Sequence, residues 1–554
     1  AIVLDELVYS YPRVNQEIKG GRSSITGDFT INEAKDLANV LKSGKLPAPA
    51  RIIQEEIVGP SLGQESIDSG MRSFVFSLII VMLYMIFYYS RRGGVIADVA
   101  LMANLFFIFG VLASFQATLT LPGIAGIVLT MGMAVDTNVL ILERIREEHR
   151  AGKGLNMAIS DGFKNAYSAI IDGNVTTLLT GIVLYMFGSG PIRGFATTLV
   201  IGILTSLFSA IFISRLIIQF MVDRKYTLTF WTKFSEQAFQ NTKINFIGSR
   251  KFAYIFSSTI IIITLLSLGI RGLNPGIDFT GGRSYVVRFD QNVSTADLAS
   301  DLRVILGESP EVKTFGSQNQ VKITTKYKIN EDDESIDNEI DSLIYVGSAS
   351  FLPTDTSLET FKDVYKQSSV KVGPTIAIDL RREAFIAVFI ALIAIFLYIV
   401  VRFKNWSYGT GAVLALFHDA LVIVGMFSIF YNRLPFGLEV DQAFIAAILT
   451  IIGYSINDTV VIFDRVREYI KLYPKRDRVE IINSALNDTL SRTFSTSFST
   501  LVVLIPIFFF GGDSIRGFIF GLIIGIIFGT YSSLFIASPI AYDLQKKRLL
   551  KAAK

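Results

Sequence analysis

The chain has 554 residues, of which 51% are hydrophobic and only 18% charged; an ordinary soluble domain carries about 25% charged residues, so a purely soluble protein is excluded. Its formal net charge of +4 is small for this length, and its Lys and Arg lie between apolar runs with no basic face, so nucleic acid is not an expected partner. Cys is absent, which excludes disulfides and thiolate metal sites, and the two His, His149 and His418, are too far apart in sequence to suggest a metal pair.

Residues 1–66 read as a small α+β domain, with a capped helix in "TINEAKDLANVLKSG" ending at Gly44 and a strand in "RIIQEEI". The sequence opens at Ala1 on strand-like residues, without Met or an apolar signal region, so more chain is expected upstream. Residues 67–222 hold five apolar runs near the roughly 20 residues needed to cross a bilayer, at about 72–90, 95–116, 122–142, 166–187 and 194–222. Residues 223–250 form a basic linker, and 251–270 a leading span for the second half. A second α+β domain follows at 271–380, where "SYVVRFD" and "NQVKITTKY" alternate as strands and "STADLASDLRVIL" is a capped helix. Residues 381–540 hold five more runs, at about 384–402, 409–430, 442–463, 485–510 and 515–540, and 541–554 is a basic tail. The basic residues concentrate in alternate loops, while the opposite loops contain only Arg433. By the positive-inside rule the basic loops and the tail are cytoplasmic, and both α+β domains lie outside.

The two halves repeat. "VGPSLG" at 58–63 returns as "VGPTIA" at 372–377, "GMAVDTNVLILERIRE" at 132–147 as "GYSINDTVVIFDRVRE" at 453–468, and "IRGF" at 192 as "IRGF" at 515. The expected fold is therefore a polytopic α-helical membrane protein built of two pseudo-symmetric helix bundles with small extracytoplasmic α+β domains. Parallel repeats of this kind place functional groups at the repeat interface near mid-membrane.

Asp136 interrupts an apolar run, and a charge at the centre of a bilayer helix costs at least about 2.5 kcal/mol. Its repeat mate is Asn457, and the second half carries its own acid one position later at Asp458. Both lie about seven residues, roughly 10 Å, from the basic membrane edge, and Arg492 in "SRTFSTSFSTL" lies equally deep. A guanidinium at that depth can offset a carboxylate, so Arg492 is expected to pair with Asp458, Asp136 or both, giving a proton-relay trio. Asp172, Asn174 and Thr176 in "DGNVTTLL", with Asn457, Ser495 and Ser497, are expected to line the same polar interior. Asn174, Thr176 and Ser497 fit structural interhelical hydrogen bonds as readily as a relay. His418 and Asp419 answer to "MANL" in the first half, which points to a structural or secondary role.

No nucleotide-binding loop, zincin or nucleophile-elbow motif occurs, so the chain is not expected to be an enzyme or to carry a metal or other cofactor. Its energy source would be an ion gradient, worth about 2.3 kcal/mol per charge per 100 mV.

"AVDTNVLILERIREE", "DGNVTTLL" and "GSGPIRGFATTL" resemble SecD, and "GLNPGIDFTGG", "GYSINDTVVIFDRVRE" and "SRTFSTSFSTL" resemble SecF, in order over essentially the whole chain. The chain thus resembles the fused SecD–SecF family, which is similar to the RND transporter superfamily. The resemblance implies two RND-like helix bundles in the bacterial cytoplasmic (inner) membrane. It implies a device driven by the proton-motive force that pulls or holds an unfolded preprotein outside, with the Sec translocon channel and its ATPase motor as partners. It assigns proton transfer to Asp136, Asp458 and Arg492. Such proteins ordinarily have a first span and a large external domain, and residues 1–66 are expected to match only the membrane-proximal remnant of that domain. An RND-type small-molecule exporter and a passive translocon scaffold are the rival readings.

Overall fold

The computed structural model describes residues 54–238, 242–331 and 334–552, together with 2–4, 7–10, 25–27, 30, 34–35 and 37–38. Contacts divide the chain into two units, Ala1–Glu55 and Glu56–Lys554. In the first, β1 (Ile2–Leu4) and β2 (Leu7–Ser10) form an antiparallel hairpin. Residues 34–35 and 37–38 are helical, within the helix expected there, while its expected end at Gly44 lies outside the described residues.

The second unit begins within β3 (Gln54–Val58), and then Pro60 opens helix α1 (Pro60–Ser114), its fixed φ suiting the first turn. This is not one rod: Tyr89 and Ser90 leave helical geometry, and Ser90 takes φ 74°. A Cβ on Gly94 would lie 2.5 Å from Ile86 Cα, an approach that only a reversal of the chain can produce. The basic turn Ser90–Arg92 is held by Ser90 and Arg92 donating to the carbonyls of Thr229 and Thr227 in the linker. The helices α2 (Leu121–Arg150), α3 (Leu155–Phe187) and α4 (Gly190–Asp223) complete the first half. The linker contains α5 (Lys233–Gln237), started by a Thr232–Ser235 capping box, and leads to α6 (Arg250–Ile270). It is packed, not slack: Arg146 and Arg150 donate to the carbonyls of Ser235 and Glu236, His149 stacks on Trp231, and Asn483 and Asn487 accept from Ile247 and Ile244.

After the short α7 (Ile277–Thr280), β4 (Gly282–Arg288), α8 (Thr295–Leu306), β5 (Glu311–Phe315), β6 (Ser317–Thr325), α9 (Glu334–Gly347) and β7 (Lys366–Val372) make an α+β layer. The strand order is β3-β7-β4-β6-β5. Register pairs Tyr285 with Ile323 and Val287 with Val321, so alternate side chains of β4 and β6 share one face. That face buries Leu298 and Leu302 of α8 and Ile340 and Ile344 of α9. Ser294 caps α8, and Gly307 ends it in the left-handed region.

The second half comprises α10 (Pro374–Phe403), α11 (Trp406–Phe430), α12 (Gln442–Leu472), α13 (Arg478–Phe510) and α14 (Asp513–Lys546). Ten helices among the described residues are long and apolar enough to cross a membrane. The break in α1 makes eleven apolar segments, as the hydropathy pattern predicts. The two repeat mates α2 and α12 are the most enclosed, with 100% and 89% of their apolar windows buried. The halves interlock crosswise: α3 packs on α12, and α13 packs on α2. Both halves also carry a π-helical turn at matching places, Ser209–Ile213 and Ser533–Ala537.

Alanine at Gly94 should lower the thermal unfolding midpoint in detergent, because its Cβ would meet backbone; overpacking of this kind costs about 1–3 kcal/mol. Alanine at Gly110, where a Cβ would have open space, should leave the midpoint unchanged or raise it.

Candidate functional site

Asp136 sits two turns before Glu143 on α2, buried against the second half. Its Oδ2 accepts from Asn457 Nδ2 at 2.9 Å, so the two repeat-equivalent residues meet directly at the interface. Asp458, turned by about 100°, faces α13 instead, where Thr496 Oγ1 lies 3.5 Å from its Oδ1. Arg492 on α13 is within electrostatic reach of both carboxylates. The expected contact pairing is not formed: Arg492 makes no ion pair among the described residues, and its Nε and Nη2 are buried without hydrogen-bond partners. Asp136 Oδ1 is likewise buried and unpartnered. The reason is rotational, since Asn457 already occupies one Asp136 oxygen while the two acids point to different neighbours. The result is an ionisable trio drawn from α2, α12 and α13, in which Asp136 Oδ1 and two Arg492 nitrogens have no hydrogen-bond partner. Buried polar atoms are nearly always paired in proteins, so the open ones in this interior set it apart from the saturated polar clusters of the bundle.

The remaining expected residues divide. Ser495 is buried one turn from Arg492, with its Oγ unpartnered. Asn457 also packs on α3, where its Oδ1 fills the space that a Cβ on Gly173 would need, 1.8 Å away. Asn174 and Thr176 bond the carbonyls of Ile170 and Gly173 on their own helix. Ser497 faces α14, 2.5 Å from Thr530. Asp172 belongs to a separate cluster: it pairs with Arg402 at 2.6 Å and accepts from Tyr398 at 2.7 Å, tying α3 to α10. Asp419 is a structural hub of the second half, accepting from Ser532 at 2.7 Å and Ser455 at 2.8 Å, with His418 Nδ1 at 3.0 Å.

Two residues escaped the sequence reading. Tyr454 lies one turn before Asp458 on α12, within electrostatic reach of both acids, and bonds Thr496 and Thr500 on α13. Its spacing of four residues from Asp458 was the available signal. Asp98 interrupts the second apolar run of α1 and is buried with both oxygens unpartnered.

At the sheet-bearing end a second polar cluster anchors α12. Asp441 caps the helix by accepting from Phe444 N at 2.8 Å, and Asp278 of α7 accepts from Gln442 N at 3.1 Å. Gln442 in turn accepts from Ser189 in the first half. Burial, and then the charge of Asp278, push the Asp441 carboxyl up to about 7, and burial raises Asp278 as well. Glu439 is partly buried, yet Lys322, 2.8 Å away, outweighs desolvation and holds it below the usual carboxylate range.

Alanine at Gly173 should displace the Asn457 amide and lose its bond to Asp136, worth about 1–3 kcal/mol. In a double-mutant cycle read by thermal unfolding, Gly173→Ala with Asn457→Ala should cost less than the sum of the single changes. For Asp441 the sign is set by its raised folded-state pKa. Between the unfolded carboxylate value near 3.9 and about 7 the folded state holds the extra proton, so stability falls as pH rises through that window. Asp441→Asn keeps an acceptor for the Phe444 amide and should flatten the loss measured between pH 5 and pH 8.

The family described as protein export membrane protein SecD/SecF, C-terminal, matches residues 40–224 and 354–547. The SecD/SecF GG motif matches residues 266–293. The SecDF P1 head subdomain matches residues 1–48, which places head-type sequence where only a membrane-proximal remnant is expected from the motifs. The protein translocase subunit SecDF of Bacillus subtilis is 35% identical over 98% of this chain and 73% of its own length. A crystal structure of SecDF from Thermus thermophilus, titled a translocon-associated membrane protein, superposes with a TM-score of 0.81 at 36% identity, covering 99% of this chain and 72% of that one. A crystal structure of SecDF in a super-membrane-facing form gives a TM-score of 0.69 at 34% identity, covering 98% and 70%. With both repeat halves, the GG motif and the head sequence on one polypeptide, this multi-pass membrane chain belongs to the fused SecDF branch of the SecD/SecF protein-export family.

Proposed function

We propose that the chain is an auxiliary subunit of Sec-dependent protein translocation in which proton passage through the membrane interior drives movement of the external domains on an unfolded preprotein. Its partners in this reading are the Sec translocon channel and that channel's ATPase motor. The basic loops and the tail face the cytoplasm of a bacterial cell, and the sheet domain faces outward. The observation that supports the proposal is the enclosure of Asp136, Asp458 and Arg492, from both repeat halves, within electrostatic reach of one another, with Asp136 bonded to the Asn457 amide of the other half.

The physics of the step is charge cancellation. An ionised carboxylate in a low-dielectric interior is stabilised by the nearby guanidinium, and protonation removes that attraction. The trio sits on helices that belong to different halves, so gaining or losing a proton changes how strongly the halves hold together. A proton entering from outside and leaving to the cytoplasm therefore drives a cycle, with about 2.3 kcal/mol available per charge per 100 mV. The motion has a route outward: α12 carries Asp458 in the membrane, and its first turn is tied to the sheet domain by the Asp278–Gln442 hydrogen bond and by the backbone bonds of Val440 to Asn274 and Gly276.

Asp136→Asn or Asp458→Asn, each nearly isosteric, should abolish the proton-dependent stimulation of preprotein export in vesicles while leaving the protein folded in the membrane. Unchanged stimulation with either variant would overturn the coupling. A drug-export phenotype would favour a small-molecule exporter instead, and unchanged stimulation without a proton gradient would favour a passive scaffold.

A further inference from the structure

Below the trio, at the end carrying the basic loops, "ERIREE" of α2 and its repeat "DRVREY" of α12 come together. Arg144 donates to its own Glu147 at 2.8 Å and to Glu468 of the other half at 3.2 Å. Arg465, the repeat mate of Arg144, donates to its own Glu468 at 2.9 Å and to Glu147 of the other half. Each glutamate thus divides its two oxygens between one arginine of each half, and the four side chains close a ring of alternating charge. No other ion pairs among the described residues are exchanged reciprocally between repeat-equivalent positions in this way. The glutamates are partly open to water, at 43% and 38% side-chain exposure, while the arginines are at 18% and 10%.

The ring stands at the edge of a cavity of about 500 Å³. Glu143, Ser491 and Arg492 also line that cavity, whereas Asp136 and Asp458 are not part of its wall. Ser491 donates to Glu143 at 3.3 Å, and Arg146 donates to the other Glu143 oxygen at 3.1 Å. The cavity therefore reaches the guanidinium from the basic end and stops short of both acids. In the middle of the membrane the same two helices are joined by the Asp136–Asn457 bond. Any parting of the halves that lets the cavity grow toward the acids must break the ring as well.

We propose that Arg144, Glu147, Arg465 and Glu468 form a clasp that gates the cytoplasmic end of the proton path, closed in this structure and open when the repeat halves part; this rests on the proton-coupled reading above. A single exposed ion pair is weak, but a ring of four part-buried groups shared by two halves, braced within each half by Glu148 on Arg144 at 3.7 Å and Asp488 on Arg465 at 3.6 Å, acts as one two-state element. Its exchange symmetry gives each half the same hold on the other, so the clasp breaks as a unit.

These 554 residues contain no Cys, so cysteine chemistry on this chain in vesicles is clean. In the first arm, Arg144→Cys with Glu468→Cys is bridged by a cleavable bis-maleimide. Bridged protein should lose proton flux, read with a pH-sensitive dye, and regain it when the linker is cut. In the second arm, Glu147→Gln with Glu468→Gln removes the clasp, and a reporter Ser495→Cys should react with a thiol reagent added on the cytoplasmic side about tenfold faster, the shift that about 1.4 kcal/mol gives. Full flux in the bridged protein, or an unchanged reporter rate, would overturn the clasp. Asp136→Asn run in the same vesicles separates the two readings. If it blocks flux while the bridged protein conducts freely, the clasp alone falls; if it conducts normally, the proton reading falls and the clasp with it.

Discussion

An ionised carboxylate inside a helix bundle keeps its charge only if the surrounding groups replace what water would supply, and the rest of this architecture follows from meeting that demand. Asp136 and Asp458 cannot face lipid, so the helices that carry them are the most enclosed of the fold. The compensating groups come from other helices: an amide from α12 for Asp136, a hydroxyl from α13 for Asp458, and the field of Arg492 for both. The compensation from protein groups is incomplete, with a carboxylate oxygen and two guanidinium nitrogens left without a hydrogen-bond partner. Contrast Asp172 and Asp419, whose oxygens are taken up by Arg402 and Tyr398 or by serines and His418. Those two acids fasten helices together, while the trio keeps unpartnered donor and acceptor atoms.

Duplication explains how such a site is assembled. Each half contributes one central helix, and each central helix is covered by a helix of the other half, α3 on α12 and α13 on α2. Mid-membrane, the repeat-equivalent positions 136 and 457 touch. At the basic end, the repeat-equivalent pairs 144 and 465, and 147 and 468, exchange partners. The interface is therefore nearly two-fold in its scaffold but not in its charges, because Asp458 has stepped one residue along its helix. That asymmetry separates the two acids, giving one an amide partner and the other a hydroxyl.

The sheet domain is joined to this interior through the first turn of α12. Asp278 accepts the Gln442 amide, Asp441 caps the helix, and Val440 exchanges backbone hydrogen bonds with Asn274 and Gly276. Burying two carboxylates beside one another raises both, and the lysine at 322 is held by Glu439, not by either of them. The junction is thus sensitive to protons near neutral pH, while its backbone contacts hold α12 to the sheet domain.

How much of this the sequence determined depends on whether the information is one-dimensional. Span positions, the repeat, the alternation of basic loops, and the equal depth of Asp136, Asp458 and Arg492 are all functions of residue number along helices of fixed rise, and they are legible without coordinates. So was the α+β character of the segment holding β4, α8 and β6, whose alternation and capping residues are local signals. Rotation and partner choice are different, because they depend on which faces of distant helices meet. The polar run "DGNVTTLL" put Asp172 among the groups lining the trio's interior, but its helical face turns it to Arg402, 230 positions away. Arg492 has the right depth, yet its reach to the acids is through space, without contact. Tyr454 and Asp98 were passed over because one is an ordinary aromatic and the other sits within a run read as uninterrupted. Arg144 and Arg465, and Glu147 and Glu468, are legible as repeat mates, but only the packing of one half against the other made them a ring, since ion pairing requires distances of a few ångströms that no spacing rule supplies.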